Sequence, residues 1–254
     1  MIYDLQKPTL FKRISAWIFD FIIIAILITL FATIISVVTK YDDKLATYES
    51  YYTEYAEKYN IDPEISLEDF EKLSEEERQV YTNANEKFQN DERVLKARNL
   101  LFGLTIIIVA SSILLAVLVW ELIVPLYLKN GQTVGKKIFG IAVMRTNGVK
   151  VSPIQLFVRS VLGKYTFEIM LPVFSIILVF FGGAGVFGIL MLGIVLIAQI
   201  ISLIATRKTR SALHDLLSDT VTVDLASQLI FDSEEELIKY KEEQHAIMAE
   251  RSPY

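Results

Sequence analysis

The stretch Arg13-Ile-Ser-Ala-Trp-Ile-Phe-Asp20-Phe-Ile-Ile-Ile-Ala-Ile-Leu-Ile-Thr-Leu-Phe-Ala-Thr-Ile-Ile-Ser-Val-Val38 decides the fold class, because from Ile14 onward it carries one charge, Asp20. About 20 apolar residues let a helix cross hydrocarbon roughly 30 Å thick. Only a helix or a closed barrel satisfies its own backbone there. Two more blocks follow the same pattern. Residues 100–128 hold one charge, Glu121, and residues 166–206 hold one, Glu168. None alternates strictly over barrel-strand lengths, so helices are expected. The mean hydropathy of +0.42 and the 53% hydrophobic content agree with a membrane protein. The first block has Lys7, Lys12 and Arg13 in front of it. Its apolar core is too long for a signal peptide and no small-residue cleavage site follows, so it reads as a retained helix.

The third block is twice the length of one crossing, and Phe181-Gly-Gly-Ala-Gly-Val-Phe-Gly188 lies at its middle. Glycines weaken a continuous helix, which predicts two crossings joined by a tight turn; one long tilted helix is the alternative. The expected fold class is therefore all-α with four transmembrane helices, at about 14–38, 100–124, 165–181 and 186–205; three is the other count. Lysine and arginine set the orientation. Residues 125–165 contain seven of them and no acid, and further clusters lie at Lys7, Lys12, Arg13 and at Arg207, Lys208, Arg210. Segment 39–99 has sixteen acids against nine bases. Four crossings put every basic cluster on one side. The expectation is a cell-membrane protein with both termini cytoplasmic and 39–99 outside.

Within that acidic insert, Tyr41, Tyr48, Tyr52, Tyr55 and Tyr59 repeat at helical spacing, and Asn60 to Glu64 reads as a turn. Ser74 with Glu77 forms a capping box, followed by a stripe of Val80, Ala84, Phe88 and Leu95. A helical hairpin is predicted, its tyrosines packing rather than binding. On the cytoplasmic side the period changes. Residues 138–145 and 149–152 flank Asn147-Gly148, a hairpin signal, and 219–224 is a third β-like run, so a small β element is expected. Residues 153–164 read as an amphipathic interfacial helix whose Arg159 and Lys164 face anionic lipid headgroups. Residues 224–254 form a charged tail.

Asp20 lies about 9 Å past the cytoplasmic edge of its block, where an aspartate costs up to about 3 kcal/mol. It needs a partner. Arg13, two turns earlier on the same face, is too far for direct pairing. Candidate pairings are Asp215 with Arg13, and Arg159 or Lys164 with Asp20. These carboxylates and cations are either a structural charge network or a proton or cation site, with His214 beside Asp215 as a pH-sensitive group.

The same residues carry a resemblance. Arg13-Ile-Ser-Ala-Trp-Ile-Phe-Asp20, Thr133-Val-Gly-Lys-Lys137 and Ala212-Leu-His-Asp-Leu-Leu-Ser-Asp-Thr220 occur in the order seen in the RDD family of membrane proteins, and this chain resembles that family across 11–223. The resemblance implies a unit of residues 11–38 and 100–223 with Arg13, Asp20 and Asp215 at the name-giving positions. It also implies transport of an unidentified ligand, or cation/proton exchange. The long insert at 39–99 and Asp219, where a small residue is common, depart from the pattern.

Other chemistries find little footing. There is no cysteine, so thiolate sites and disulfides are excluded. Gly131 to Lys137 has the wrong glycine spacing for a phosphate loop, and His214 and His245 cannot form a zinc helix motif. No catalytic set, cofactor, metal site or nucleic-acid surface is expected. Gln199 in the last crossing requires a hydrogen-bond partner. The expectation is a transporter or cation/proton exchanger using Asp20, working as a homo-oligomer in the bilayer. The alternative is a membrane scaffold or accessory subunit acting through the insert or tail.

Overall fold

Apolar helices of crossing length dominate the computed structural model, which describes residues 5–181, 185–206 and 211–251. In chain order the helices are α1 (Leu10–Thr39), α2 (Tyr41–Tyr59), α3 (Leu67–Lys72), α4 (Glu75–Asn90), α5 (Glu92–Leu128), α6 (Val134–Ile138), α7 (residues 153–181), α8 (Gly185–Ala205), α9 (Leu213–Leu217) and α10 (Glu234–Arg251). Two strands, β1 (Ile141–Arg145) and β2 (Thr220–Asp224), complete the described elements. Four helices are long and apolar enough to cross a membrane: α1, α5, most of α7, and α8. Their large apolar side chains, such as Ile22, Ile26 and Leu30 on α1 or Ile194 and Ile197 on α8, face outward. That is the inverse of a soluble core and what lipid requires.

The predicted turn at 182–184 and the basic cluster at 207, 208 and 210 lie outside the described residues. The flanking helices still distinguish the two counts. A Cβ on Gly188 of α8 would lie 2.7 Å from the carbonyl oxygen of Ser175 on α7. Two helices three residues apart can touch this closely only by folding back, so the block makes two crossings.

α7 differs from the expected interfacial helix followed by a separate crossing. Ser152 caps it with Gln155 in a capping box, Pro153 begins it, and it runs on into the apolar segment. Gly163 and Pro172 both lie within 153–181, and the helix nonetheless continues through them. Its part Val158–Met170 is wound with i→i+5 hydrogen bonds, as is Leu118–Ile123 within α5. Such π-type turns are uncommon and cluster at functional sites.

The chain divides into two bodies, one containing the residues up to Ile28 and from Ile113 onward, the other Thr29–Ser112. In the first, β1 and β2 pair antiparallel, from Ile141 opposite Asp224 to Arg145 opposite Thr220. Ala142, Met144, Val221 and Val223 form a buried cluster with Leu5, Leu225 and Ile230. The predicted hairpin survives as its turn: Gly148, at φ 94°, donates its N–H to Arg145 and the Arg145 N–H returns to Val149. The second arm makes a single bridge, Met144 to Lys150, because Lys150 donates instead to Phe231 and Pro153 soon starts a helix. The distant run 220–224 takes the open edge of β1.

In the second body the tyrosine stripe packs as expected. Tyr48, Tyr52 and Tyr55 surround the buried Phe88 edge-on at ring separations of 5.4–6.0 Å. Asn60, left-handed at φ 49°, ends α2, and the Ser74–Glu77 capping box is present. Val94 is buried at the far end of the predicted stripe rather than Leu95. The Arg93 guanidinium holds the Asp91 carboxyl near 2, and Arg93 also reaches Glu54. Truncating Phe88 to Ala should therefore destabilise the insert by about 3–5 kcal/mol. Hydrogen exchange across residues 41–90 reads this directly, and unchanged protection would show that the tyrosines pack without Phe88.

Candidate functional site

Asp20 is only 5% exposed, and each of its contacts comes from a neutral donor. Its Oδ1 accepts from the indole of Trp120 at 2.9 Å and the backbone N–H of Gly135 at 3.0 Å. Its Oδ2 accepts from the Thr133 hydroxyl at 2.5 Å. Thr133 also caps α6, accepting from the Lys136 N–H at 3.3 Å. Left-handed Lys129, Asn130 and Gly131 turn the chain into this cap. A Cβ at Gly135 would fall 2.6 Å from the Ala16 carbonyl and 2.7 Å from Asp20 Oδ1, so only glycine fits. The Thr-x-Gly spacing is therefore a carboxylate clamp: a hydroxyl, one open residue, then an N–H with no side chain in the way.

This corrects the expected partnership of Asp20 with Arg159 or Lys164. Both cations are engaged elsewhere. Arg159, 3% exposed, pairs with Asp215 through Nη1 and donates to the Thr220 hydroxyl at 2.8 Å. Its Nη2 lies 3.1 Å from His214 Nε2. The expected pair of Arg13 and Asp215 is likewise not formed, since Arg13 donates to the Thr222 carbonyl of β2 at 3.4 Å. Arg13 thus reads backbone on the sheet, and the guanidinium nearest Asp215 comes from α7.

Because a guanidinium can only donate, His214 Nε2 must accept, which places the ring proton on Nδ1. Nδ1 lies 2.8 and 2.9 Å from the two oxygens of Glu168 and donates there. Glu168 also accepts from the His214 N–H at 3.1 Å and from Gln199 at 3.4 Å, the partner that Gln199 required. His214 is thus neutral by geometry. Burial pushes its pKa below the usual range, against the attraction of Asp215. For Asp215, burial acts upward, but the Arg159 guanidinium, with help from the Thr220 hydroxyl, outweighs it and holds the carboxyl low. A Cβ on Gly163 would sit 2.5 Å from that of His214, so α7 and α9 meet at a glycine.

The third group was not singled out by the sequence. Glu121, 6% exposed in the π-wound turn of α5, lies 3.4 Å from Lys136 Nζ and pairs with Lys164 Nζ. The signal was available: Glu121 is the lone charge of its apolar block, the criterion that selected Asp20 in the first. Lys136 of α6 is pushed down to about 8, by burial first and against the pull of Glu121. A cavity of about 270 Å³ opens among these groups, lined by Arg13, Trp17, Glu121, Lys136, Lys164 and Asp215 with Asp20 and Arg159 beside them. Four cations and three carboxylates face one small space.

Winding explains how α7 brings its charges together. Nine residues separate Arg159 from Glu168, about two and a half turns of an α-helix, which would put them on opposite faces. At roughly 4.4 residues per π-turn they are about two turns apart and share a face. Among the described residues no three His, Cys, Asp or Glu side chains converge as a metal site.

The RDD family model matches residues 7–219, a span that takes in Arg13, the Asp20 clamp and the Arg159–Asp215–His214 group. Neither the curated proteins nor the solved structures yielded a match. Four crossing-length helices and a family match over most of the chain lead to one statement of identity: this multi-pass membrane protein belongs to the RDD family.

Proposed function

We propose that this RDD protein is a cation/proton exchanger of the cell membrane, with its termini and the charged cavity on the cytoplasmic side. The segregation of basic residues toward 125–165 and acids toward 39–99 supports the orientation. The observation that carries the mechanism is Glu121 held between two lysines at the cavity, one of which titrates near 8. In a low-dielectric site a change of net charge is costly, so a departing proton favours another cation in its place. While Lys136 is protonated, Glu121 has two ammonium partners, whose charge repels a further cation. When Lys136 releases its proton, one positive charge leaves and a monovalent cation can take its place on the carboxylate. Reprotonation expels it. One proton is thereby exchanged for one cation. In this scheme Asp20 is the latch that holds α6, and with it Lys136, against α1.

A second reading, a scaffold or accessory subunit, draws on the completeness of the network. Asp20 has three donors, Asp215 has Arg159 and Glu121 has two lysines, and a fully satisfied buried network also serves to fix packing.

Proteoliposomes with an imposed pH gradient separate the two readings. Addition of Na⁺ or K⁺ should dissipate the gradient with the native chain, and Glu121→Gln should abolish the response. A scaffold would show no response in either. The native exchange rate should rise with pH through about 8, where Lys136 loses its proton, and Lys136→Arg, which stays charged, should flatten that rise. An unchanged profile in Lys136→Arg would remove Lys136 from the mechanism.

Asp20 is tested by a pair of variants. Asn keeps an acceptor for Trp120 and Gly135, and its amide can donate to a rotated Thr133 hydroxyl. Asp20→Asn should therefore fold and exchange. Asp20→Ala leaves buried donors unmet, at about 1–3 kcal/mol each, and should lose thermal stability. A well-folded Asp20→Asn protein that fails to exchange would return the coupling role to Asp20.

A further inference from the structure

The insert contains a cavity that the membrane-level cluster does not use. It measures about 410 Å³ and lies wholly within the body formed by Thr29–Ser112, bounded by α2, the turn after it, α3 and α4. That volume falls in the range of small-molecule sites. Its walls are aromatic: Tyr52, Tyr55, Phe70, Tyr81 and Phe88. Internal contacts hold several of these rings in place. Phe70 packs edge-on against Tyr81 at 5.7 Å, the Tyr81 hydroxyl accepts the Asp62 N–H at 3.0 Å, and Tyr52 donates to the Pro63 carbonyl at 3.1 Å. Packing therefore preorganises the walls.

Two observations indicate the charge of the occupant. Aromatic faces attract cations, and one ring of the cavity wall already does so within the chain: Lys58 Nζ lies 5.7 Å from the Tyr55 ring centroid. The surrounding segment 39–99 has sixteen acids against nine bases, which concentrates cations at its surface. Asp62 stands at the cavity wall. Its Oδ1 accepts from the Glu64 N–H at 2.9 Å, which fixes the side chain, while Oδ2 has no hydrogen-bond partner among the described residues.

We propose that the insert binds a small organic cation with an apolar body, of the arylammonium or quaternary-ammonium class. The apolar body lies against the aromatic walls and the cationic head is directed to Asp62. The site is independent of the exchange reading and stands or falls separately.

Calorimetric titration of the full chain in detergent tests it, with phenyltrimethylammonium as the cation, benzyl alcohol as the neutral probe and benzoate as the anion. Saturable binding is expected for the cation, weaker binding for the neutral probe and none for benzoate. Asp62→Asn retains the Glu64 contact and should weaken the cation by about two- to fivefold without moving the neutral probe. Thr82→Trp, placed at an exposed position of α4 that lines the cavity, should fill it and remove saturable binding, with circular dichroism confirming the helices. Equal binding of all three probes, no saturable cation binding, or cation binding undiminished in a folded Thr82→Trp protein would each overturn the proposal.

Discussion

A carboxylate inside a membrane helix must be solvated by something, and for Asp20 the solvent is protein: an indole, a hydroxyl and one backbone N–H. This arrangement compensates the buried charge without burying a second one, so it avoids the desolvation that an arginine or lysine partner would add. It also demands close approach. Ala16 on α1 and Gly135 on α6 are small because the two backbones nearly touch where the N–H is delivered. The rest of the body follows from this contact. α6 leads directly into β1, and β1 supplies the edge on which β2 lies. From α6 the Lys136 side chain reaches Glu121.

The other buried charges are handled differently. Arg159 with Asp215, and Glu121 with Lys136 and Lys164, are ionic groups whose partners come from separate elements, and both are built on π-wound helix. A π-turn costs helix regularity, and what it provides here is angular. It turns Arg159, Lys164 and Glu168 toward one side of α7, where ordinary winding would spread them around the axis. The irregularity and the charge cluster are two views of one feature, and each π-wound segment carries an acid that the apolar hydropathy pattern should forbid.

The parts of this fold legible in sequence were those set by solvent. Lipid thickness counted the crossings, and the period of the tyrosines gave α2 and its packing on Phe88. A local rule, the Ser74–Glu77 capping box, marked the start of α4. What failed were pairings. Arg13, Asp20, Arg159, Lys164 and Asp215 all find partners, but not those that opposite charge alone suggests. Coulomb's law says that opposite charges attract but not which of several lies within reach. That choice rests on the neutral clamp built by Thr133-x-Gly135 and on the π-winding of α7; the motif is visible in the sequence, but neither its partner Asp20 nor the winding is. Glu121 is legible by the same test as Asp20, since each is the lone charge of its apolar block.

The separation of neutral clamp from ionic groups bears on which residue can change charge. At Asp20 three neutral donors close a contact between α1 and the segment that carries α6. The contact of the Arg159 guanidinium with Nε2 keeps His214 neutral. Lys136 differs from both. Burial weakens its hold on its proton, the carboxylate it faces is shared with Lys164, and the cavity lies beside it. In the proposed exchange, loss of the Lys136 proton would change the charge around Glu121 and leave the contacts of Asp20 in place.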